Sequence, residues 1–145
     1  MAEIKETSMG EIWVATKALL LYNKRVLIIQ RSNYCGVGEN EWEFAGGGLK
    51  FGEDLLDGLS REILEEVGLT VRIDRLLYAI SRLVNPQRQI FGLTYLCYAN
   101  TDTVILSNEH KNYLWATREQ LQKMLTKPML DDLTINSVLD QLDIL

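Results

Sequence analysis

An α/β fold, a mixed sheet covered by helices, is predicted by three features of the sequence. Its stretches read in the order strands, helix, strands, then two helices. Apolar residues make up 47% of the 145 positions, enough for a real core at the length of one ordinary domain. Only Pro86 and Pro128 interrupt the chain, and no repeat or low-complexity tract divides it, so residues 1–145 are expected to form a single domain.

Residues 1–10 are polar and read as a loose arm. Glu11 to Tyr22 (EIWVATKALLLY) and Arg25 to Arg31 (RVLIIQR) are apolar and rich in β-branched residues, and Asn23-Lys24 between them allows the tight turn of a β-hairpin. Ser32 to Asn40 is a polar loop, and Trp42 to Ala45 is a short strand entering the Gly46-Gly47-Gly48 turn. A helix is expected from about Asp54 to Val67. Leu55, Leu56, Leu59, Ile63 and Val67 fall on one stripe, Glu62, Glu65 and Glu66 lie on a neighbouring face, and Gly68 suits a left-handed cap. Leu69 to Leu83 and Gln89 to Ala99 read as two strands joined by the turn Asn85-Pro86-Gln87-Arg88. Thr117-Arg118-Glu119-Gln120 has the form of a capping box opening a helix through Met124 or Leu125. Asp131 or Asp132 is placed to cap a last helix through Leu142.

The composition narrows the function. A net charge of −5 without a basic stripe argues against a general nucleic-acid binder. An acidic protein that handles polyphosphates needs a metal to bridge the two negative partners. Cys35 and Cys97 lack metal-site spacing and are expected to be free thiols in a reducing compartment. No apolar run has the length of a membrane span, and MAEIKETSMG lacks a signal-peptide core, so a cytoplasmic protein without a membrane partner is expected.

The most informative run is GGLKFGEDLLDGLSREILEEVGL, beginning at Gly47. It reads G-x5-E-x7-R-E-I-x-E-E-x-G-L and places three carboxylates, Glu62, Glu65 and Glu66, on one helix. Like charges at i, i+3 and i+4 weaken a helix unless something positive binds them. Oxygen donors of this kind suit Mg2+, with Mn2+ as the alternative. An ordinary surface helix with an acidic face would not also require the Arg and both glycines at these spacings.

These positions resemble the Nudix box without deviation. The resemblance implies an α/β/α sandwich with a mixed central sheet and the box as a loop–helix–loop. It also implies metal-dependent hydrolysis of a nucleoside diphosphate linked to another group. On the same analogy Glu62, Glu65 and Glu66 supply metal ligands and the general base, with Glu62 favoured as base. Arg61 orients a glutamate, and Glu53 supports the cluster. Upstream, WEFAGG is similar to the WEFPGG of MutT-type members, with Ala45 in place of proline, which makes the Gly46 carbonyl a candidate metal ligand. Arg31 matches the position where such members present an arginine to substrate phosphates; a solvent-exposed strand-end arginine is the alternative. Downstream, Glu109 stands six residues before Trp115, as does the glutamate that completes the metal site in MutT-type members. His110 is expected to be an exposed loop residue outside the catalytic set, and Trp115 to pack in the core.

Substrate identity is less marked. WEF and the Glu109 spacing favour a (d)NTP cleaved to the monophosphate and pyrophosphate. Asp131-Asp132 resembles an acidic pair that reads a purine edge, although helix capping, the better-attested role, alone explains the pair. Pro86 lies near where ADP-ribose-type members carry a proline, which leaves ADP-ribose or a nucleotide sugar as the alternative. A module that binds nucleotides without hydrolysis is a further alternative, as is an RNA 5′-end processing enzyme, against which the acidic balance argues. The expected partner is a small-molecule nucleotide, with no nucleic acid; a homodimer is left open.

Overall fold

A computed structural model describes residues 10–33 and 38–143. The expected N-terminal arm falls on residues 1–9 and the expected free thiol Cys35 on residues 34–37, so both lie outside the described residues. The elements, in chain order, are β1 (Glu11–Tyr22), β2 (Arg25–Arg31), β3 (Trp42–Glu43), β4 (Ala45–Gly48), α1 (Leu55–Val67), β5 (Val71–Asn85), β6 (Arg88–Ala99), β7 (His110–Ala116), α2 (Arg118–Met124), α3 (Lys127–Ile135) and α4 (Val138–Gln141).

The sheet is mixed, as expected. β1 runs parallel to β6 from Glu11 to Leu21 and antiparallel to β2 and β4, while β2 also pairs with β3 and β7, and β5 closes the far edge against β6. Asn23 and Lys24 both have positive φ, +53° and +64°, which matches the hairpin turn to the twist of its strands. The continuous apolar runs of β1 and β2 follow from burial on both faces. Leu19, Leu21, Val26 and Ile28 face a core closed by α2, α3 and α4, whereas Ala18, Leu20, Leu27 and Ile29 face Leu59, Ile63 and Val67 of α1. The result is helix, sheet, helix. No helix among the described residues is long and apolar enough to cross a membrane.

Four details correct the sequence reading. The strand expected at Trp42–Ala45 is two short ones, because the chain changes neighbours at Phe44, from β2 to β1. Leu56 leaves the apolar stripe of α1 and is 44% exposed, whereas Glu66 lies inside it, buried among Leu59, Ile63 and Val67. At about 100° per residue Glu66 falls between Leu55 and Leu59, so the stripe itself demands this. The last helix is not capped by Asp131 or Asp132. α3 starts earlier, after Thr126, with Pro128 in its first turn, where a missing N–H costs nothing. It ends at Asn136, and the left-handed Ser137 redirects the chain into α4. The capping box at Thr117 and Gln120 forms as expected, as does the left-handed cap at Gly68.

Candidate active site

The carboxylates meet in a cleft of about 390 Å3 between α1, the glycine strand β4 and the loop before β7. Local rules build its α1 side. Asp54 caps the helix by accepting from the amides of Leu56 and Asp57. Arg61 lies in the middle of the helix and gathers the acids around it. Its Nε and Nη2 donate to Glu53 at 2.7 and 3.0 Å, and its Nη1 donates to Glu62 at 3.0 Å and to Glu65 at 3.2 Å. Nη2 also reaches the Gly48 carbonyl at 3.2 Å. The bidentate bond from Arg61, then the amide of Lys50, lowers the Glu53 carboxyl to about 2. Glu53 thus fixes Arg61, and Arg61 in turn contacts Glu62 and Glu65.

Backbone approach explains the glycines. Gly46 has φ +136°, and a Cβ there would lie 2.1 Å from the Thr16 carbonyl of β1. A Cβ on Gly47 would meet Glu62 Oε2 at 2.6 Å. The turn is therefore stripped of side chains so that β4 can press on β1 and Glu62 can lie against backbone.

Glu66 is placed differently. Its Oε1 accepts from the Gly46 amide at 2.6 Å, and the carboxylate is buried. Burial raises its pKa to about 7, against the lowering pull of Lys17, the Gly46 amide and His110. The loop carrying Glu109 is docked on the end of the same helix. Ile105 N donates to Val67 O and Ser107 N to Glu66 O, each at 3.0 Å, which satisfies carbonyls that a helix end leaves without partners. Glu109 thereby lines the cleft with Glu62, Glu65, Glu66 and Gly46.

Three residues absent from the expected set, Lys17, Glu43 and His110, complete the site around Arg31. Lys17 of β1 donates to Glu43 Oε1 at 3.0 Å and to the carbonyls of Phe44 and Gly46 at 3.3 and 3.2 Å. Arg31 donates to Glu43 Oε2 at 2.8 Å. His110, expected to be exposed, is buried with its Nε2 3.2 Å from Glu43 Oε2 and its Nδ1 3.8 Å from Glu66 Oε2. It belongs to β7, whose pairing with β2 draws it inward beside Arg31. Burial opposes charge on Glu43, but Lys17 first, then His110 and Arg31, outweigh it and hold this carboxyl far below the usual range. Lys17 and Glu43 carry a signal in the sequence: each is a charge set among apolar residues of an expected strand.

Asp131 and Asp132 do not line this cleft. Asp131 pairs with Lys127 one turn earlier at 2.8 Å, and Asp132 with Arg82 of β5 at 2.5 Å, on the other side of the sheet. Trp115 packs against the α1-side core, stacks obliquely on Tyr22 and donates its indole N–H to the Asp102 carbonyl. Cys97 is a free, buried thiol, its pKa pushed up to about 12 by burial.

The donor set fits a hard divalent cation. Four carboxylates and a carbonyl offer oxygen ligands in one cleft, and a buried nitrogen without a hydrogen-bond partner among the described residues, His110 Nδ1, faces one of them. Glu66, Glu109 and His110 each bring a ligand atom within 4.8 Å of the others.

The family model of the NUDIX domain matches residues 13–134, which is 122 of the 145 positions. The chain is 26% identical over 112 residues to the nucleoside triphosphatase NudI of an Enterobacter species, covering 70% of this chain and 79% of that protein. It is 48% identical over 42 residues to an RNA pyrophosphohydrolase of Haemophilus ducreyi, covering 29% of this chain and 21% of that protein. The chain spans about a fifth of the length of the first curated relatives it matches, 20% and 21%. Among solved structures, the MutT protein from Methanosarcina mazei Go1 superposes with a TM-score of 0.75 at 24% identity, covering 92% of this chain and 94% of that one, a likeness of fold. Box, fold and a match over most of the sequence agree: the chain belongs to the Nudix family.

Proposed function

We propose that the protein hydrolyses a phosphoanhydride in a nucleoside diphosphate linked to another group, using Mg2+ or Mn2+. The preferred substrate is a nucleoside triphosphate, cleaved to the monophosphate and pyrophosphate. One observation carries this reading: carboxylates from α1 and the loop before β7 share a single cleft with two cations, Lys17 and Arg31. A polyphosphate needs both, a metal-holding acidic side and a basic side for the oxygens that the metal does not neutralise.

Glu62, Glu65, Glu66, Glu109 and the Gly46 carbonyl would hold the ion. Its contribution, when bound, is to neutralise the phosphates and lower the pKa of the attacking water. Glu62 takes the proton from that water as its oxygen bonds to phosphorus. The anhydride P–O bond breaks, and the leaving phosphate oxygen departs with the electron pair. Lys17 and Arg31 bind the phosphate oxygens that the metal leaves uncompensated, Arg31 with a planar fork and Lys17 as a point charge. Arg61 keeps Glu62 and Glu65 extended, and Glu53 keeps Arg61 in place.

The likeness to an RNA pyrophosphohydrolase covers 42 residues, a span that can carry the box chemistry shared by both proteins and little else. Asp131 and Asp132, tied to Lys127 and Arg82, are not assigned to base recognition. The test is a panel of (d)NTPs, oxidised dNTPs, ADP-ribose, sugar nucleotides and dinucleoside polyphosphates, with Mg2+ or Mn2+ and product identification by mass. A nucleoside triphosphate giving pyrophosphate at the highest kcat/KM is expected. Absence of turnover across the panel with either ion would overturn the proposal.

A further inference from the structure

We propose that His110 is a nitrogen ligand of the divalent cation, holding one ion together with Glu66 and Glu109. This rests on the metal-dependent reading above and adds to its oxygen donors a residue of a different chemical class.

The geometry of the ring carries the inference. Its side chain is 1% exposed, so water does not serve its nitrogens from bulk solvent. Nε2 lies 3.2 Å from Glu43 Oε2. Glu43 already accepts from Lys17 and Arg31, and a carboxylate between two cations is an acceptor only. The hydrogen of this contact therefore sits on Nε2. In the neutral ring that leaves a lone pair on Nδ1, which is buried and has no hydrogen-bond partner among the described residues.

What Nδ1 faces is another acceptor. Glu66 Oε2 lies 3.8 Å away, too far for a direct hydrogen bond and close enough for two lone pairs to repel. An ion between them removes that conflict. Bonds of about 2.0–2.2 Å set ligand atoms on a common ion about 3–4.4 Å apart, and 3.8 Å falls in that range. Glu109 adds a third donor within 4.8 Å of the other two. A metal-binding histidine usually donates its second N–H to a carboxylate that fixes its tautomer and orientation. Glu43 does this here, and Lys17 and Arg31 fix Glu43 in turn. A nitrogen donor shifts the site toward Mn2+, Co2+ or Zn2+ relative to an all-oxygen cage that suits Mg2+.

His110 is the one histidine of the chain, so the wild-type protein tests the proposal without a variant. Untagged protein loaded with Mn2+ is examined by pulsed electron paramagnetic resonance. Imidazole 14N modulation is expected, and uniform 15N-histidine labelling should replace it with the 15N pattern. Bound Mn2+ without nitrogen modulation would overturn the proposal and leave the metal-dependent reading standing. Failure of Mn2+ to bind at all would overturn both. As a second measurement, His110→Gln is expected to weaken Mn2+ at least about tenfold more than Mg2+. Equal losses for the two ions would reduce His110 to a residue that positions Glu66.

Discussion

Two ion networks flank the cleft, and they are built on opposite plans. The Arg61 network joins Glu53, Glu62 and Glu65, all within thirteen consecutive residues of the box and on the open side of α1. The Glu43 network joins Lys17, Arg31 and His110, drawn from β1, β2 and β7, and its histidine is buried. In the first, one cation serves several acids; in the second, one acid serves two cations and a histidine. Their union gives the cleft an acidic wall and a basic one, which two copies of either plan would not.

The largest expected effect separates ligands from scaffold. Glu65→Gln and Glu66→Gln should each lower kcat by at least about a hundredfold, since a neutral amide neither neutralises a divalent ion nor relays a proton. Circular dichroism should show the fold intact. Full Mg2+-dependent activity in either variant would sink the assignment.

A next contrast sets the two networks against each other. Glu43→Gln leaves Lys17 and Arg31 without their shared counter-charge in a partly buried place. Stability should fall by about 2–3 kcal/mol, seen as a drop in Tm of roughly 5–10 °C. Glu53→Gln leaves Arg61 its bonds to Glu62, Glu65 and the Gly48 carbonyl, so it should lower Tm less while lowering kcat through a loosened Arg61. If the two variants destabilise the protein equally, the distinction between a local network and a long-range one fails.

Acid–base behaviour sharpens the contrast further, because Glu43 and Glu66 have shifts of opposite sign on either side of His110. Glu43 is depressed, so its contribution to stability is present above the ordinary carboxylate range and is lost as the pH falls. Glu66 is raised to about 7, so its contribution is present below its unfolded value and is lost as the pH rises through about 7. Metal-free protein should therefore lose Tm between about pH 5 and 8, and saturating Mg2+ should suppress that loss by binding the ionised form. Apparent Mg2+ affinity, followed by calorimetry, should climb with pH until about 7 and then level. A flat affinity profile across that window would remove Glu66 from the ligand set.

The same division decides what could be read before the fold was known. Arg61 meets Glu65 one helical turn on and its other acidic partners in the box within eight residues, so their grouping is local, and the hairpin, capping box and left-handed helix cap follow from equally local rules. Lys17, Glu43 and His110 converge through strand pairings between segments tens of residues apart, and no local period encodes which strand will lie beside which. His110 was misjudged for this reason: its neighbours in sequence are polar, yet the β2–β7 register carries it beside Arg31. Glu66 is a different case. The helical stripe already contained it, but grouping it with Glu62 and Glu65 by charge hid its burial. Asp131 and Asp132 resembled caps because Asp caps helices, whereas Pro128 fixes the start of α3 one turn earlier.

The smallest expected effect tests whether the Glu43 network binds substrate or only supports the fold. Lys17→Met removes one charge-assisted contact to a phosphate, worth about 1.5 kcal/mol, so KM for a nucleoside triphosphate should rise about tenfold. The methionine keeps the length and apolar stem of the side chain, and Glu43 keeps Arg31 and His110 but loses its strongest counter-charge, so Tm should fall by less than in Glu43→Gln. Because a phosphate oxygen away from the reacting bond carries similar charge in the ground and transition states, kcat should stay within about threefold. A fall in kcat at constant KM would mean that Lys17 acts through the Phe44 and Gly46 carbonyls it now holds, fixing the glycine strand rather than the substrate. The basic wall would then reduce to Arg31, and the asymmetry between the two networks would be one of architecture alone.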